Sequence, residues 1–349
     1  MKEPIELAGF SRYRSHLMGV AMIIVMLFHT GGMRHDTIAF CISRCGNVGV
    51  DMFLFLSGIG LWYSWCRLCD DNALASKCGT AGLLRRFFIN RYARVYPAWL
   101  TIAILYYVPK YIGGSIALDS TVTEILFNSG FWKNGELNFW FVPAIMMLYT
   151  VAPAYMLLIR RYPSYRMLPV AAMILCVLIQ YFAPLHNHLA HLEIFFSRIP
   201  IFLLGINAGR FVRERHSLDP QAIWMIIAVF IMCAVACVNF EAGLRGRFPL
   251  FIERMVYIPF SITGMLLLCR LFPAMPSWIN RLLVFIGGIS LELYLVHIEF
   301  VMRHVMRYKL GYWLTAIITL CVSAVIAWLL HKVAVATANQ IKRILINKE

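Results

Sequence analysis

Charged residues are scarce in this chain of 349 residues, because Asp, Glu, Lys and Arg together make up only 14% of it. A soluble domain has about a quarter charged residues. Apolar residues instead account for 61% of the chain, and its mean hydropathy is +0.72. They fall in runs long enough to cross about 30 Å of hydrocarbon. The composition therefore excludes a soluble domain with one anchor and predicts a polytopic integral membrane protein.

Acidic residues are also few, with 17 Asp and Glu against 32 Lys and Arg, which gives a net charge of +15. In a chain this apolar, a basic excess is typical of loops that contact anionic lipid on the cytoplasmic side of a membrane. No basic stretch alternates with aromatic residues on a soluble module. We therefore expect membrane lipid as a partner and no nucleic acid.

No processing site of small residues follows the first apolar run, and the chain has no internal repeat or low-complexity tract. We therefore expect the first span to be retained as a helix. The longest predicted loops, 67–90 on the inner side and 113–137 on the outer side, are too short for a soluble domain. Residues 1–349 are thus predicted to form one transmembrane domain with no appended soluble domain.

Hydropathy, turn residues and charges together predict an all-α bundle of about ten transmembrane helices with both termini cytoplasmic. About two thirds of the Lys and Arg residues then lie in cytoplasmic segments, which favours an even number of spans. Nine or eleven spans are the alternatives. The predicted spans are 16–33, 47–66, 94–112, 138–159, 167–184, 197–212, 221–240, 254–272, 282–300 and 311–331.

Two patterns resemble metal-binding spacings but lack the ligands to complete a site. Cys66 and Cys69 form a C-x-x-C pair, but a structural zinc ion needs four ligands. His186, His188 and His191 lie close together in a predicted outer loop, with no carboxylate partner. We expect no metal site.

Two ionisable residues lie inside apolar runs of neighbouring predicted helices. His29 closes the run 17–29, and Asp51 opens the run 49–58. Such residues are costly in a membrane and indicate function. In an antiparallel helix pair they could face each other, and a carboxylate beside an imidazole suits a general base. The alternative is that each side chain caps its own helix end.

A basic cluster precedes and enters the third predicted span. It includes Arg86, Arg91 and Arg94, and the last two share a helix face because they are three residues apart. Guanidinium groups bind phosphate in a bidentate manner, so the cluster could hold a phosphorylated cofactor. The alternative is an anchor on anionic lipid.

A third group of polar residues lies in the segment ISLELYLVHIE near the C-terminus. Tyr294 and His297 are one helical turn apart, and Glu292 stands inside an apolar run with Arg198 as a candidate partner. These groups either take part in function or pair with one another to hold helices together.

These segments together resemble acyltransferase family 3, a family of integral membrane proteins. The resemblance covers almost the whole chain, in six motifs that follow one another in order. The motif residues are Leu17-Met18-Gly19 and Phe28-His29; Gly49, Val50, Asp51, Phe53, Leu54, Ser57 and Gly58; Arg91, Arg94, Tyr96 and Pro97; Trp140, Phe141, Pro143, Tyr149 and Pro153; Arg198, Phe202, Leu203, Leu204, Gly205 and Gly209; Gly288, Ile289, Ser290, Leu293, Tyr294, Leu295, Val296 and His297.

The resemblance implies transfer of an acyl group, usually acetyl from acetyl-CoA, to a hydroxyl of a cell-surface polysaccharide or lipid-linked sugar. It implies a location in a bacterial inner membrane. One position departs from the family pattern, because Met18 stands where the family has an arginine. Arg14, one helical turn earlier, is the residue that could replace that arginine.

On this reading His29 is the general base, and Asp51 orients it; the alternative to direct transfer is a relay through a covalent acyl-His29 intermediate. Arg86, Arg91 and Arg94 bind the phosphates of coenzyme A.

Five further residues are expected to contact substrate, and among them Ser57 and Tyr96 are candidate donors to the thioester carbonyl. The five are Ser57, Tyr96, Trp140, Arg198 and His297. Two other functions remain open: a proton-coupled transporter or flippase of a glycan or small anion, and a non-catalytic receptor or assembly factor.

Overall fold

The computed structural model describes residues 4–30, 38–242 and 250–346 of the chain. It is 88% helical. The only strands in these ranges are β1 (Ile5–Glu6) and β2 (Ser217–Leu218), which pair antiparallel with Ile5 opposite Leu218. The all-α prediction is confirmed.

Within the described ranges, eleven helices form the framework of the bundle. They are α1 (Arg14–His29), α2 (Val48–Asp70), α3 (Asn72–Ile112), α4 (Phe141–Arg161), α5 (Leu168–Tyr181), α6 (Ile199–Arg213), α7 (Ala222–Ala242), α8 (Leu250–Leu271), α9 (Ser277–Gly288), α10 (Ser290–Val296) and α11 (Tyr312–Ile346). Shorter helical pieces connect them. These pieces are Gly9–Arg12, Ile38–Arg44, Cys45–Asn47, Leu118–Phe127, Ser129–Asn134, Pro163–Met167, Ala183–Leu189, Ala190–Leu192, Glu193–Phe196, Phe272–Ala274, His297–Met302, Arg303–Val305 and Met306–Tyr308.

Seven of the described helices are long and apolar enough to cross a membrane, or eight if the bent pair beginning with α9 is one span. The chain is therefore a multi-pass membrane protein. Nine of the ten predicted spans coincide largely with a described helix, whereas the span 282–300 is divided between α9, α10 and the helical piece His297–Met302. Residues 31–33 of the first predicted span lie outside the described ranges. Neither α1 nor α3 is among the helices that are long and apolar enough to cross a membrane. The number of ten spans stays a prediction.

Three predicted loops are wrong in part, because they contain helices. The segment 67–90 is largely helical: α3 begins at Asn72 and continues through a break at Gly79, where φ is +62°. The segment 113–137 contains the helices Leu118–Phe127 and Ser129–Asn134. The histidine-rich segment forms the helix Ala183–Leu189.

Two faces of the bundle are defined by the ends of α1 and α11, which run antiparallel. Near His29, the Tyr312 hydroxyl donates to the carbonyl of Leu27 at 2.9 Å. At the other end of α11, Arg85 donates to the carbonyl of Leu345 at 3.3 Å. We call the two ends the histidine face and the arginine face. Both described chain ends lie at the arginine face; that this face is cytoplasmic stays a prediction.

Small residues allow α2 to lie at the centre of the bundle, in close contact with α6. A methyl group on Gly58 would lie 2.5 Å from the carbonyl oxygen of Phe202, and one on Gly205 would clash with the backbone of Phe55. Such close approach through small residues is typical of helix pairs in membranes. Glycine at both positions thus fixes the α2–α6 contact.

A bend of 66° separates α9 from the helices that follow it. The bend falls at Ile289, between Gly288 and Ser290, and it turns α10 across the interior of the bundle. A π-helix then begins at His297 and runs to Met302. π-helical turns are rare and often occur at functional sites.

Candidate active site

A half-buried imidazole, that of His29, contacts a fully buried one, that of His297, at the histidine face. The Nδ1 atom of His29, the last residue of α1, lies 3.1 Å from the Nε2 atom of His297. His297 is fully buried, and its Nδ1 atom lies 2.8 Å from the carbonyl oxygen of Tyr294 and 3.0 Å from that of Leu293. The π-helix that begins at His297 gives this ring its position.

These contacts fix the tautomer of His29. Carbonyl oxygens can only accept, so Nδ1 of His297 carries the hydrogen, and its Nε2 atom is an acceptor in the neutral ring. The Nδ1 atom of His29 must then donate to it. The Nε2 atom of His29 therefore has the free lone pair, which is the arrangement that a general base requires.

Asp51 does not orient His29, contrary to the prediction. It is fully buried in the first turn of α2, where its carboxylate forms an ion pair with Arg198. The other terminal nitrogen of Arg198 donates to Oδ1 of Asn47 at 2.9 Å. A buried carboxylate needs such compensation, and Arg198 supplies it from the N-terminus of α6. Asp51 and Arg198 thus join α2 to α6 at the histidine face.

A cavity of about 720 Å³ opens beside His29, which we call the histidine cavity. Aromatic side chains of the α4 N-terminal region line it, including Trp140, together with polar and charged groups such as Asn138, Arg254 and Glu299. It combines apolar faces with hydrogen-bonding groups, a lining suited to a polar organic ligand. Trp140 thus lines a cavity next to His29, and its contact with substrate stays a prediction.

A second cavity, of about 600 Å³, lies at the arginine face, and we call it the arginine cavity. Arg91 and Arg94 line it, as predicted, and so does Lys342 of α11. Glu292 and His331 complete one wall and bind each other, with 2.9 Å between Nδ1 of His331 and Oε1 of Glu292. The predicted pairing of Glu292 with Arg198 is therefore wrong.

A narrow cavity of about 80 Å³, the neck, lies between these two. It shares Tyr294 with the histidine cavity and both Arg91 and Arg94 with the arginine cavity. Ser57 and Arg14 also line the neck. Because neighbouring cavities share wall residues, the three cavities adjoin one another in a series that leads from the arginine face to His29, and we call this series the path.

Arg14 reaches the position that the sequence suggested for it. Its guanidinium lies beside Gly60 of α2, and the same glycine's carbonyl accepts a hydrogen bond of 3.2 Å from Arg91. Arg14, Arg91 and Arg94 therefore form a cluster of three cations at the neck. Met18, one turn further along α1, also lines the neck, so the cation comes from Arg14 in its place.

Five predicted site residues do not line these three cavities: Asp51, Arg86, Tyr96, Arg198 and His297. Arg86 does not line the arginine cavity. The Tyr96 hydroxyl lies 3.5 Å from the carbonyl of Leu126, so that this side chain points from α3 towards the helix Leu118–Phe127. Arg91 and Arg94 face the path, but the turns on either side of them bring Arg86 and Tyr96 to other faces of α3.

Tyr294 is the functional candidate whose role the sequence did not indicate. Its hydroxyl accepts the backbone N–H of Phe141, the first residue of α4, at 3.1 Å. That N–H has no acceptor within its own helix. The Tyr294 proton remains free to be donated, because the described residues offer no acceptor for it, and the residue lines both the neck and the histidine cavity. Only the one-turn spacing from His297 gave a signal.

The residues of the two patterns that resemble metal-binding spacings form no cluster. The histidines of the helical segment Ala183–Leu192 bond separately to carbonyl oxygens, His188 to Pro184 at 3.1 Å and His191 to Trp132 at 3.2 Å. Cys66 and Cys69 are free thiols. Within the described ranges, no group of three His, Cys, Asp or Glu residues is arranged to hold a metal ion.

The fold and the cavities define the class of the molecule: a multi-pass membrane protein with a half-buried histidine at one end of a series of cavities and a cluster of arginines at the other. The family model described as an acyltransferase domain, that of acyltransferase family 3, matches residues 16–332. The chain therefore belongs to acyltransferase family 3, as the motifs predicted. No curated protein and no solved structure matches it.

Proposed function

We propose that this protein is an O-acyltransferase of the bacterial inner membrane. It transfers an acyl group, in our proposal acetyl, from acyl-CoA to a hydroxyl of a cell-surface polysaccharide or lipid-linked sugar. The observation that carries the proposal is the series of three adjoining cavities between the cations at the arginine face and the imidazole of His29.

The donor enters from the arginine face in this proposal. Arg91 and Arg94, which line both the arginine cavity and the neck, bind the phosphates of coenzyme A, and Arg14 adds a third cation. A hydrogen bond to a charged group contributes about 1.5–3 kcal/mol. The pantetheine arm extends through the neck, which at about 80 Å³ must widen by side-chain movement to admit it.

The acceptor binds in the histidine cavity. A sugar ring presents apolar C–H faces and hydroxyl groups, and the cavity offers Trp140 next to Asn138 and charged side chains for these two kinds of surface. The acceptor hydroxyl lies against Nε2 of His29, the nitrogen whose lone pair is free.

The chemical step is direct transfer. The acceptor oxygen attacks the thioester carbonyl carbon while its proton passes to Nε2 of His29. The C–S bond then breaks, the acyl group stays on the acceptor, and the imidazolium returns the proton to the departing thiolate. A positioned base contributes about 10²–10⁴-fold to such a step. His297 accepts from Nδ1 of His29 throughout and stabilises the imidazolium, the role first expected of Asp51.

The Tyr294 hydroxyl donates to the oxyanion that develops on the carbonyl. Its proton is available because the backbone N–H of Phe141 donates to the hydroxyl oxygen and does not accept the hydroxyl proton. Ser57, which lines the neck, is the second candidate for this donation.

The test is incorporation of label from radiolabelled acetyl-CoA into membrane glycan, comparing wild-type membranes with the His29→Gln and His29→Ala variants. We expect both variants to lose at least about a hundredfold in rate, because no base remains. His188→Gln, on an exposed helix, is the matched control and should behave as wild type. Near wild-type rates in both His29 variants would remove His29 from the chemistry. A glycan transporter would instead move its ligand without any acyl donor.

The donor site has its own test, which compares acetyl-CoA with S-acetylpantetheine, a donor that has no phosphates. Arg91→Ala should raise the KM for acetyl-CoA by about 10-fold or more and leave that for S-acetylpantetheine unchanged. Arg12→Ala, which removes an exposed arginine that pairs with Glu6, is the control. An equal change for both donors would exclude phosphate binding by Arg91.

A further inference from the structure

A fourth cavity, of about 530 Å³, lies at the arginine face and is separate from the reaction path; we call it the side cavity. Trp62, Cys66 and Asp70, each four residues apart on α2, line it. The arginine cavity is lined by Arg67 and Leu68, which point from another side of the same helix. The two cavities share no wall residue, so α2 separates them.

The side cavity has more positive than negative charge. Four arginines line it, against two acidic residues: Arg160, Arg166, Arg210 and Arg213 against Asp70 and Glu214. Two of the arginines are paired, Arg210 with Glu214 at 2.8 Å between Nε and Oε1, and Arg213 with Asp70.

Two cations in the side cavity lack an acidic partner. Among the described residues, neither Arg160 nor Arg166 forms an ion pair with a carboxylate. The hydrogen bonds of the Glu214 carboxylate are made with Arg210, and after it with His216, and they lower its pKa. Two guanidinium groups that line one cavity favour the binding of an anion with several acceptor oxygens.

Arg166 is held in place by neutral contacts, not by a counter-charge. Its backbone carbonyl accepts from Nδ2 of Asn207 at 2.9 Å, and Oδ1 of Asn207 accepts from the Tyr155 hydroxyl at 3.0 Å. The Arg166 guanidinium lies 5.8 Å from the ring centre of Trp62, at cation–π distance. Because these contacts orient Arg166 without a carboxylate, the N–H donors of its guanidinium remain available to a ligand.

We propose that the side cavity binds the phosphate of an anionic phospholipid. The cavity lies where α2, α4 and α6 end, which is the level of the lipid headgroups. Tyr162 and Tyr165 are exposed beside it, as aromatic residues at a membrane–water interface are, and Phe211 offers an apolar surface to an acyl chain. Basic pockets between helix ends are a known means of holding acidic headgroups.

The first experiment is native mass spectrometry of the detergent-purified full chain with phosphatidylglycerol, phosphatidylcholine or inorganic phosphate as probe. We expect retention of phosphatidylglycerol over phosphatidylcholine by about tenfold, because zwitterionic headgroups offset the attraction. Equal retention of the two lipids would overturn the proposal. Binding of inorganic phosphate without preference for phosphatidylglycerol would retain the phosphate chemistry but overturn the lipid as its source.

The variant Arg160→Gln with Arg166→Gln should abolish the preference for phosphatidylglycerol, and Arg166→Lys, which retains the charge, should preserve part of it. Arg12→Gln, at an exposed arginine of the same face, is the control. Retention of the preference in the double variant would also overturn the proposal. The readout is lipid binding, so it is independent of whether the protein transfers acyl groups.

Discussion

Replacement of Tyr294 by phenylalanine removes one hydroxyl from the junction of the neck and the histidine cavity. That hydroxyl accepts the N–H of Phe141 at 3.1 Å, which leaves its own proton for the thioester oxygen. Loss of one oxyanion donor costs about 10²–10³-fold in kcat, or about 2.7–4 kcal/mol of transition-state stabilisation. We expect a fall of this size in kcat with little change in KM, because the bond strengthens only as the oxyanion forms.

The same substitution also affects stability, since the Phe141 N–H loses its acceptor. An unsatisfied buried donor costs about 1–3 kcal/mol. Tyr107→Phe is the matched control: it removes a buried hydroxyl that donates to Oδ1 of Asn128 at 3.0 Å, and it lies outside the reaction path. The control should lower the melting temperature without lowering kcat.

The assay is steady-state transfer of labelled acetyl in purified proteoliposomes, normalised to the folded fraction from size-exclusion chromatography. If Tyr294→Phe keeps kcat within about threefold of wild type at equal folded fraction, the hydroxyl is not the oxyanion donor. An increase in KM alone would give Tyr294 a binding role and likewise refute the reasoning.

Three further predictions concern the surroundings of the path. His297→Ala should lower kcat by about 10²–10⁴-fold because His29 loses its fixed tautomer, whereas His297→Gln, which retains an acceptor, should recover part of it in the same assay; equal rates in both would contradict a positioning role. Asp51→Asn should cost about 3–5 kcal/mol of stability in thermal melts, and adding Arg198→Gln should recover part of that loss; additive losses would contradict the ion pair. Gly205→Val should reduce yield and melting temperature through a clash with α2, with unchanged KM in the protein that folds.

The fold class followed from the sequence because the membrane imposes one strong constraint. Backbone groups in hydrocarbon must bond within their own helix, so long apolar runs specify helices wherever they occur. The break at Gly79 and the bend at Ile289 were missed, because hydropathy averages over a window and does not register one backbone angle. The helices in predicted loops were missed for a similar reason: they are too polar or too short for a hydropathy signal.

The sequence indicated several residues that line the candidate site, but not how these residues pair. Helical periodicity correctly predicted that Arg91 and Arg94 share one face of a helix. The free-energy cost of an ionisable side chain in a membrane indicated His29 and Asp51 as candidates. The partners could not be predicted, because they are distant in sequence: 268 residues separate His29 from His297, and 147 residues separate Asp51 from Arg198. Such contacts depend on how helices are arranged, which short-range spacing does not encode.

The central claim is that the nucleotide end of the donor is held by cations at the arginine face while its acyl end reaches His29. A cryo-EM structure with a coenzyme A thioether that cannot transfer its acyl group tests this most directly. We predict the phosphates at Arg91 and Arg94, and the carbonyl carbon at Tyr294 and within about 3.5 Å of an acceptor hydroxyl bound to His29. A nucleotide bound in the histidine cavity or the side cavity, with an empty neck, would contradict the account.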